Sequence, residues 1–373
     1  MAPSFSSSLA LAVVVLACAA SPPRSHAQGD NLQSIEKFYT PMAVTFAADG
    51  RTLYVANGAR GDFGMIAGWG SISKCTVSGD GTLTVDKQQF AKDLNAPVDI
   101  AILAEPTSVS PAGALVVAVG GSWTTDVRGQ SLDDDRARGT GLVIVDPETG
   151  AISGRLFLGE GSLIEGALGR PLRDPFAVTA DPAGNIYVAD YAARGTLPDD
   201  PGTPQPGLLK LHASAVEALL KEQEPPAGSV QFLSVRSIPA GVIYSTRDDS
   251  LYFVTGVAGF DLGGAVLRLP RGDFSGATAL DTVAKELESL NGITFTPKGA
   301  ILVARNSGEI LVVRGRRHKD VRFRDRFRFL SPGQLATTSL ANGKTLVVVP
   351  EASGGGSGRW RHPVRTFTLP GDI

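Results

Sequence analysis

The 373-residue chain is poor in cysteine and histidine, the two side chains on which disulfide frameworks and zinc sites depend. Its two cysteines are Cys18, inside an N-terminal apolar run, and Cys75. If the segment that contains Cys18 is removed, Cys75 has no partner for an intramolecular disulfide, so packing must supply the stability. A lone cysteine is most often a small buried hydrophobe. The four histidines are isolated from one another, and none forms a zinc-binding pair.

The chain also lacks an excess of charge of either sign, with 35 Lys and Arg against 37 Asp and Glu. This balance predicts no nucleic-acid partner. The one strong local cluster extends from Arg314 to Arg328, where eight basic residues surround two aspartates. One interpretation is an outer strand whose charges prevent edge-to-edge association. The other is a patch for an anionic surface, such as an acidic polysaccharide or phospholipid head groups.

No apolar run is long enough to cross a bilayer, which takes about 20 residues. The longest N-terminal run, residues 9–20, is followed by Ser25-His26-Ala27, a small-x-small cleavage pattern. We therefore predict a secretory signal over residues 1–27, with a cut after Ala20 as an alternative, and a secreted protein, extracellular or periplasmic. A membrane anchor and a lipoprotein site at Cys18 fit less well, because the first residues contain no Lys or Arg.

The rest of the chain repeats one short unit, which is clearest at residues 175–195. An apolar run over 176–180 is closed by Asp181-Pro182-Ala183-Gly184, and a β-rich run over 185–189 follows and ends at Asp190. This is the pattern of two strands joined by a tight turn. Related units begin near Pro41, Pro97, Pro239, Leu290 and Ala336.

Six such units at spacings of about 45 to 70 residues suit propeller blades with insertions. Near-continuous apolar runs such as residues 115–119 favour sheets that are covered on both faces. We predict a single all-β domain over residues 28–373, a six-bladed β-propeller with four-stranded blades. The last unit has only three clear strands, so residues 34–39 should supply the fourth and close the ring. Residues 214–223 should form one short inserted helix.

Common catalytic signatures are also missing. There is no Gly-x-Ser-x-Gly nucleophile elbow. Asn342-Gly343-Lys344-Thr345 resembles the end of a phosphate-binding loop, but it lies between two predicted strands and favours a hairpin turn. Asp133, Asp134 and Asp135 are too compact for a calcium loop.

Polar residues gather where the second strands of the units end. They are Asn57, Asp190, Asn306 and Glu351, with Arg194 and Arg305 beside two of them. In a propeller these ends open on the same face as the starts of the innermost strands, the face that we call the channel mouth. Asp190 could instead cap its own turn by accepting backbone N–H bonds. Trp123, after a second strand, could cover the mouth or pack on its own blade.

The repeat at residues 175–190 resembles an NHL repeat, and the set of six resembles the senescence-marker-protein/gluconolactonase family of six-bladed propellers. That resemblance implies calcium-dependent lactonase or related hydrolase chemistry at an axial metal. It implies ligands from a first-blade Glu and from Asn or Asp at the starts of innermost strands. Mapped by motif, the equivalent positions are Met42, Val98, Phe176, Ala240, Asn291 and Thr337. Only Asn291 retains a carboxamide, so the usual axial site is expected to be absent.

Two functions remain open, and with them whether the protein is an enzyme. The first is a binding scaffold for a carbohydrate or small molecule, with Asn57, Trp123, Asp190, Arg194, Arg305 and Glu351 as ligand-binding candidates. The alternative is a calcium-dependent lactonase or esterase. In that case Asn291 would hold the metal together with Asp99, Asp174 and Glu351, and Asp99 and Asp174 would be the catalytic candidates. A metal-free enzyme with an axial acid is a third possibility.

Overall fold

The computed structural model describes residues 27–59, 66–120, 139–191, 205–235, 237–256, 263–275, 280–315, 317–323, 327–352 and 361–373. In chain order its strands are β1 (Ala27–Gln28), β2 (Asp30–Tyr39), β3 (Pro41–Phe46), β4 (Thr52–Asn57), β5 (Gly70–Val77), β6 (Leu83–Leu94), β7 (Asp99–Leu103), β8 (Ala114–Val119), β9 (Gly141–Val145), β10 (Ile152–Phe157), β11 (Pro175–Ala180), β12 (Ile186–Asp190), β13 (Gly207–Leu211), β14 (Val230–Ser234), β15 (Pro239–Ser245), β16 (Ser250–Thr255), β17 (Val266–Pro270), β18 (Asp281–Ala284), β19 (Leu290–Phe295), β20 (Ile301–Arg305), β21 (Ile310–Arg314), β22 (Arg317–Arg322), β23 (Ala336–Ser339), β24 (Thr345–Pro350) and β25 (Arg361–Leu369).

These strands form six antiparallel sheets of the predicted propeller. Blades one to five are β3–β6, β7–β10, β11–β14, β15–β18 and β19–β22, and blade six consists of β23, β24, β25 and β2. The N-terminal strand β2 pairs with β25 through matches such as Ile35 with Val364. The predicted closure of the ring by residues 34–39 is therefore confirmed. Strand β1 adds a short parallel pairing to the outer edge of blade five.

Each blade is covered on both faces, as its apolar runs predicted. In β8, Val116 and Ala118 belong to one buried cluster, while Leu115, Val117 and Val119 belong to another. Because successive side chains of a strand point to opposite faces, the two clusters are the two seams between blade two and its neighbours. The core of the protein thus lies between blades.

The clearest hairpin, β11 to β12, is specified locally. Asp181 Oδ1 accepts the backbone N–H groups of Ala183 at 2.9 Å and Asn185 at 3.0 Å. Gly184 provides the positive φ of 80° that the turn requires. A short carboxylate, a proline and a glycine together fix this turn, which is why the repeat could be recognised from sequence.

The described residues contain two helices, α1 (Leu163–Leu168) and α2 (Ala213–Leu220), where one was predicted. The predicted helix over residues 214–223 corresponds to α2, which ends earlier because Glu222 adopts a positive φ of 54°. Helix α1 is too short to show periodicity. Its only signal is a capping box, in which Ser162 Oγ accepts the N–H of Glu165 at 3.2 Å. Neither helix is long and apolar enough to span a membrane.

The basic stretch is only partly an outer strand. The strand β22 ends at Arg322, whereas the basic cluster extends to Arg328. Residues 324–326 lie outside the described part of the chain. Phe323 is buried against Phe329 and Phe367, with ring centroids 5.6 and 5.1 Å away. The edge of β22 is covered by β1 at Val321 and Arg322, so the strand is not open along its whole length.

Candidate functional site at the channel mouth

Strand register identifies the residue that each blade places at the channel mouth. In blade three, Pro175 pairs with Asp190 and Ala177 with Ala189, so Phe176 forms a one-residue bulge. The same shift occurs in blades one, four and five. In blade two, the backbone N–H of Val98 bonds to Ala118 at the matching position. The innermost strands therefore enter the channel in one common geometry.

Register also corrects one sequence assignment. In blade six Pro332 bridges Glu351, and Ala336 pairs with Val348, which places the bulge at Gly333. The mapping of Thr337 to the mouth is therefore wrong, because the chain enters the innermost position four residues before the regular strand β23 begins. The mouth residues are Met42, Val98, Phe176, Ala240, Asn291 and Gly333.

These six residues make the mouth unequal on its two sides. Blades one to three contribute Met42, Val98 and Phe176, and the Phe176 ring lies 5.4 Å from the ring of Tyr191. Blades four to six contribute Ala240, Asn291 and Gly333. Asn291 and Phe176 are both half-buried. An apolar, partly aromatic side thus faces a side that contains an amide.

Asp99 lies one residue beyond the mouth position and connects two blades. Its side chain is buried, at 1% exposure. The carboxylate accepts the backbone N–H of Ile100 and that of Val178 in blade three, both at 2.8 Å. Burial raises the pKa of Asp99 to about 7, in opposition to these two hydrogen bonds. Both oxygens are therefore engaged with the scaffold.

Gln334 occupies the equivalent position in blade six and was missed by sequence reasoning. Its Oε1 accepts the N–H of Ile293 at 3.0 Å and its Nε2 donates to the Ile293 carbonyl at 2.8 Å. Its own backbone bonds to Met42 and Val44 of blade one. Asp99 and Gln334 thus link neighbouring blades at one level of the channel, each by bonding to the free edge of another innermost strand. The sequence signal for Gln334 was a polar residue at a position where the four blades other than two and six have Ala or Gly.

Asn291 belongs to a polar link between blades five and six. Its Nδ2 donates to Asn306 Oδ1 at 3.0 Å and to the Pro332 carbonyl at 3.3 Å. Ser331 Oγ lies 3.3 Å from the same Asn306 oxygen, and Ser331 has a positive φ of 48°. A left-handed serine at this position is a strained conformation of the kind that concentrates at functional sites.

Glu351 lies beside this link and is completely buried. Its Oε1 accepts Arg365 Nε at 2.8 Å and the N–H of Leu330 at 3.3 Å, while Oε2 has no hydrogen-bond partner. The Arg365 guanidinium lies 4.6 Å from the centre of the Phe327 ring. Glu351 therefore fixes the segment that leads into blade six through Oε1.

Asp190 accepts backbone N–H bonds, but the donors that the structure describes belong to the turn that leads into β11 and not to the turn after its own strand. Its Oδ1 accepts the backbone N–H of Arg173 at 3.1 Å and of Asp174 at 2.9 Å, and its Oδ2 pairs with Arg170 Nη2 at 3.0 Å. Asp174 lies in the same turn and is buried. Asp190 therefore fixes the turn that leads into β11, the innermost strand of blade three, and Asp174 is part of that turn.

Two of the remaining sequence candidates donate hydrogen bonds to neighbouring residues of the scaffold, and the other two fall outside the described residues. Asn57 donates to Ser73 Oγ at 2.9 Å on the adjacent strand β5. Arg305 Nε donates to the Leu287 carbonyl at 2.8 Å. Trp123 and Arg194 lie outside the part of the chain that the structure describes.

Buried oxygens without a hydrogen-bond partner concentrate at the mouth end of the blades. Native proteins leave few such groups, and each one calls for an explanation. Five of the six blades contribute at least one, at the start of an innermost or third strand or at the end of a second strand. They are Thr40 Oγ1, Asn57 Oδ1, Thr140 Oγ1, Thr255 Oγ1, Ser289 Oγ and Glu351 Oε2. At the far end of the channel, Thr179 and Thr337 are hydrogen-bonded to neighbouring strands, whereas Thr45 and Thr294 have no side-chain hydrogen bond to the described residues.

The residues considered for calcium do not fit a calcium site. Calcium takes six to eight convergent oxygens. No three His, Cys, Asp or Glu side chains of the described residues form a metal-binding group, so Asp99, Asp174 and Glu351 are not brought together. Asp99 bonds to backbone N–H groups, Glu351 to Arg365, and Asn291 to Asn306.

Comparisons with solved structures show that this chain has the β-propeller fold. Neither a scan against protein-family models nor a search among curated proteins gave a match. A gluconolactonase from Xanthomonas campestris is 15% identical over 94% of this chain and 95% of its own, with a TM-score of 0.56. An aldose sugar dehydrogenase from Streptomyces coelicolor, solved with bound PQQ, is 12% identical over 94% and 99%, with a TM-score of 0.54. A luciferin-regenerating enzyme is 13% identical over 92% and 96%, with a TM-score of 0.52.

Proposed function

We propose that this propeller binds a small sugar derivative or lactone at the mouth of its channel. The observation that carries the proposal is the concentration of unpartnered buried oxygens at that end, on five of the six blades. Unpaired buried polar groups cost about 1–3 kcal/mol each, so they are retained where they serve a function. The same end contains the strained Ser331 and the only polar mouth residue, Asn291.

The shape of the mouth supports a neutral ring compound with hydroxyl groups. Small-molecule sites combine apolar and aromatic walls with a few placed polar groups. Here the half-buried Phe176 and Met42 form the apolar wall, and the polar wall consists of Asn291 with Asn306. The solved structures with this fold include a gluconolactonase and an aldose sugar dehydrogenase, which points to the same ligand class.

Calorimetric titration with D-glucose and with fresh D-glucono-δ-lactone tests the proposal. We expect saturable binding that Asn291→Ala weakens about tenfold, because it removes a hydrogen-bonding group from the polar wall. Gln223→Ala, an exposed carboxamide after α2, is the matched control and should leave binding unchanged. Equal binding by both variants, or no binding of either compound, would contradict the proposal.

Calcium-dependent lactone hydrolysis is the second candidate. The gluconolactonase likeness and the retained Asn291 favour it, whereas the engagement of Asp99 and Glu351 speaks against a calcium shell. Proton release from D-glucono-δ-lactone, measured at constant pH with calcium and with EDTA, separates the two. Turnover that needs calcium and disappears in Asn291→Ala would show that the protein is a hydrolase and not a binding scaffold.

We also propose that the N-terminal segment directs secretion. Ala27 is buried and pairs with Val321 in the first residue of β1. A cut after Ala20 would keep this pairing, whereas a cut after Ala27 would remove it. Mass spectrometry of the exported protein should find a start before Ala27. An intact N-terminus in the cytoplasm would contradict the proposal of secretion.

A further inference from the structure

The far half of the channel contains a cavity whose lining residues follow the mouth residues along the innermost strands. It has a volume of about 310 Å³ and is lined by the innermost strands of all six blades. At its mouth side Gln334 and Asp99 bond across to neighbouring innermost strands, at the level of Ile293 and Val178. The volume lies at the lower end of the range of small-molecule sites, about 300–1,000 Å³.

The described residues that line the cavity include no charged side chain. Its hydroxyls come from Thr45, Thr179, Thr294 and Thr337, its amide from Gln334, and aromatic rings from Phe46 and Phe295. The free edges of the innermost strands also face the channel, because their other edges pair with the second strands. A wall of this kind disfavours an ion, since it offers no opposite charge to compensate for the water that the ion loses. It equally disfavours a hydrocarbon, which would leave hydroxyls and backbone groups unpaired.

Two of the four hydroxyls are already used by the scaffold. Thr179 Oγ1 accepts the N–H of Tyr244 at 3.2 Å, and Thr337 Oγ1 donates to the Phe295 carbonyl at 2.5 Å. These bonds join neighbouring blades. Thr45 and Thr294, the other two, make no side-chain hydrogen bond to the described residues, although Thr294 is only 6% exposed. They are free to bond to a molecule in the cavity.

We propose that this cavity is a second small-molecule site, for a neutral polyhydroxylated compound of sugar or polyol size. Thr45 and Thr294 hydrogen-bond its hydroxyls, and Phe46 and Phe295 contact its carbon skeleton. This proposal does not rest on the function proposed for the mouth, because the residues that carry it are not the mouth residues.

Ligand-observed NMR titration with myo-inositol tests the second site, with gluconate as the anionic comparison. The test variant is the double substitution Thr45→Val with Thr294→Val, which keeps the shape of both side chains and removes both hydroxyls. We expect myo-inositol to bind the wild-type protein, gluconate not to bind this cavity, and the double variant to bind myo-inositol about tenfold more weakly. Thr84→Val, at an exposed position of β6, is the matched control and should bind as the wild type does.

The Asn291→Ala variant separates the two sites. Binding of myo-inositol that survives Asn291→Ala but weakens in the threonine double variant supports the second site. Binding that is lost in Asn291→Ala and unchanged in the double variant overturns it and leaves the mouth site standing. Absence of any myo-inositol binding also overturns it. Unchanged thermal unfolding of the double variant shows that the cavity itself is intact.

Discussion

The buried carboxylate of Asp99 makes the stability of the propeller depend on pH. Its pKa is raised from 3.8 to about 7 by burial in the folded protein. The folded state therefore holds this proton more tightly than the unfolded chain does. The free energy of unfolding should fall as pH rises through the window from about 4 to 7, by about 1.4 kcal/mol per pKa unit or about 4 kcal/mol in full.

Asp99→Asn isolates this contribution, because asparagine does not titrate. Its carbonyl oxygen can still accept one of the two N–H groups of Ile100 and Val178, but its NH₂ group faces the other donor. The variant should thus be less stable than the wild type at pH 5, by about 1–3 kcal/mol. Between pH 5 and 8 the difference should change by about 2.5 kcal/mol in favour of the variant, from the linkage relation.

Urea denaturation of both proteins at pH 5, 6, 7 and 8 measures this difference. Asp93→Asn, an exposed carboxylate in a left-handed position that asparagine tolerates, is the matched control. A constant difference between the wild type and Asp99→Asn across this range would refute the reasoning. That outcome would show that the two N–H donors outweigh burial and keep the carboxylate ionised throughout this range.

Two further substitutions test the contacts between neighbouring innermost strands, and a third substitution is their control. Gln334→Ala removes both side-chain bonds to Ile293 and should lower the free energy of unfolding by about 1–3 kcal/mol in urea denaturation, and a change below about 0.5 kcal/mol would contradict its bridging role. Gly292→Ala should destabilise by at least about 1–3 kcal/mol, because a Cβ there would overlap the backbone oxygen of Gly333. Gly166→Ala in α1, where a Cβ meets no atom within 4 Å, should instead be neutral or stabilise by up to about 1 kcal/mol, and equal effects of the two glycine substitutions would refute the packing argument.

The architecture was predictable because its signals are local. The turn at Asp181 to Gly184 closes on itself through the Asp181 carboxylate, so the hairpin is encoded within a few residues. The alternation of β8 between two cores is likewise encoded in one apolar run. Closure by residues 34–39 followed from the missing strand of the last unit, since an open edge is disfavoured.

The site was less predictable because its contacts are distant in sequence. Asp99 bonds to Val178, 79 residues away, and Gln334 to Ile293, 41 residues away. The place of Gly333 at the channel mouth follows from the bridge between Pro332 and Glu351, and no pattern of apolar residues in the sequence indicates that bridge. The sequence pattern indicated only the regular strand of the last blade, so Thr337 was assigned to the mouth position.

A structure of the protein determined with D-glucono-δ-lactone or D-glucose tests the central claim most directly. We predict the ligand at the channel mouth, between the Phe176 ring and the Asn291 amide, with its hydroxyls toward blades five and six. A ligand found only on the outer faces of the blades, or a mouth that stays free of ligand at saturating concentration, would contradict the claim.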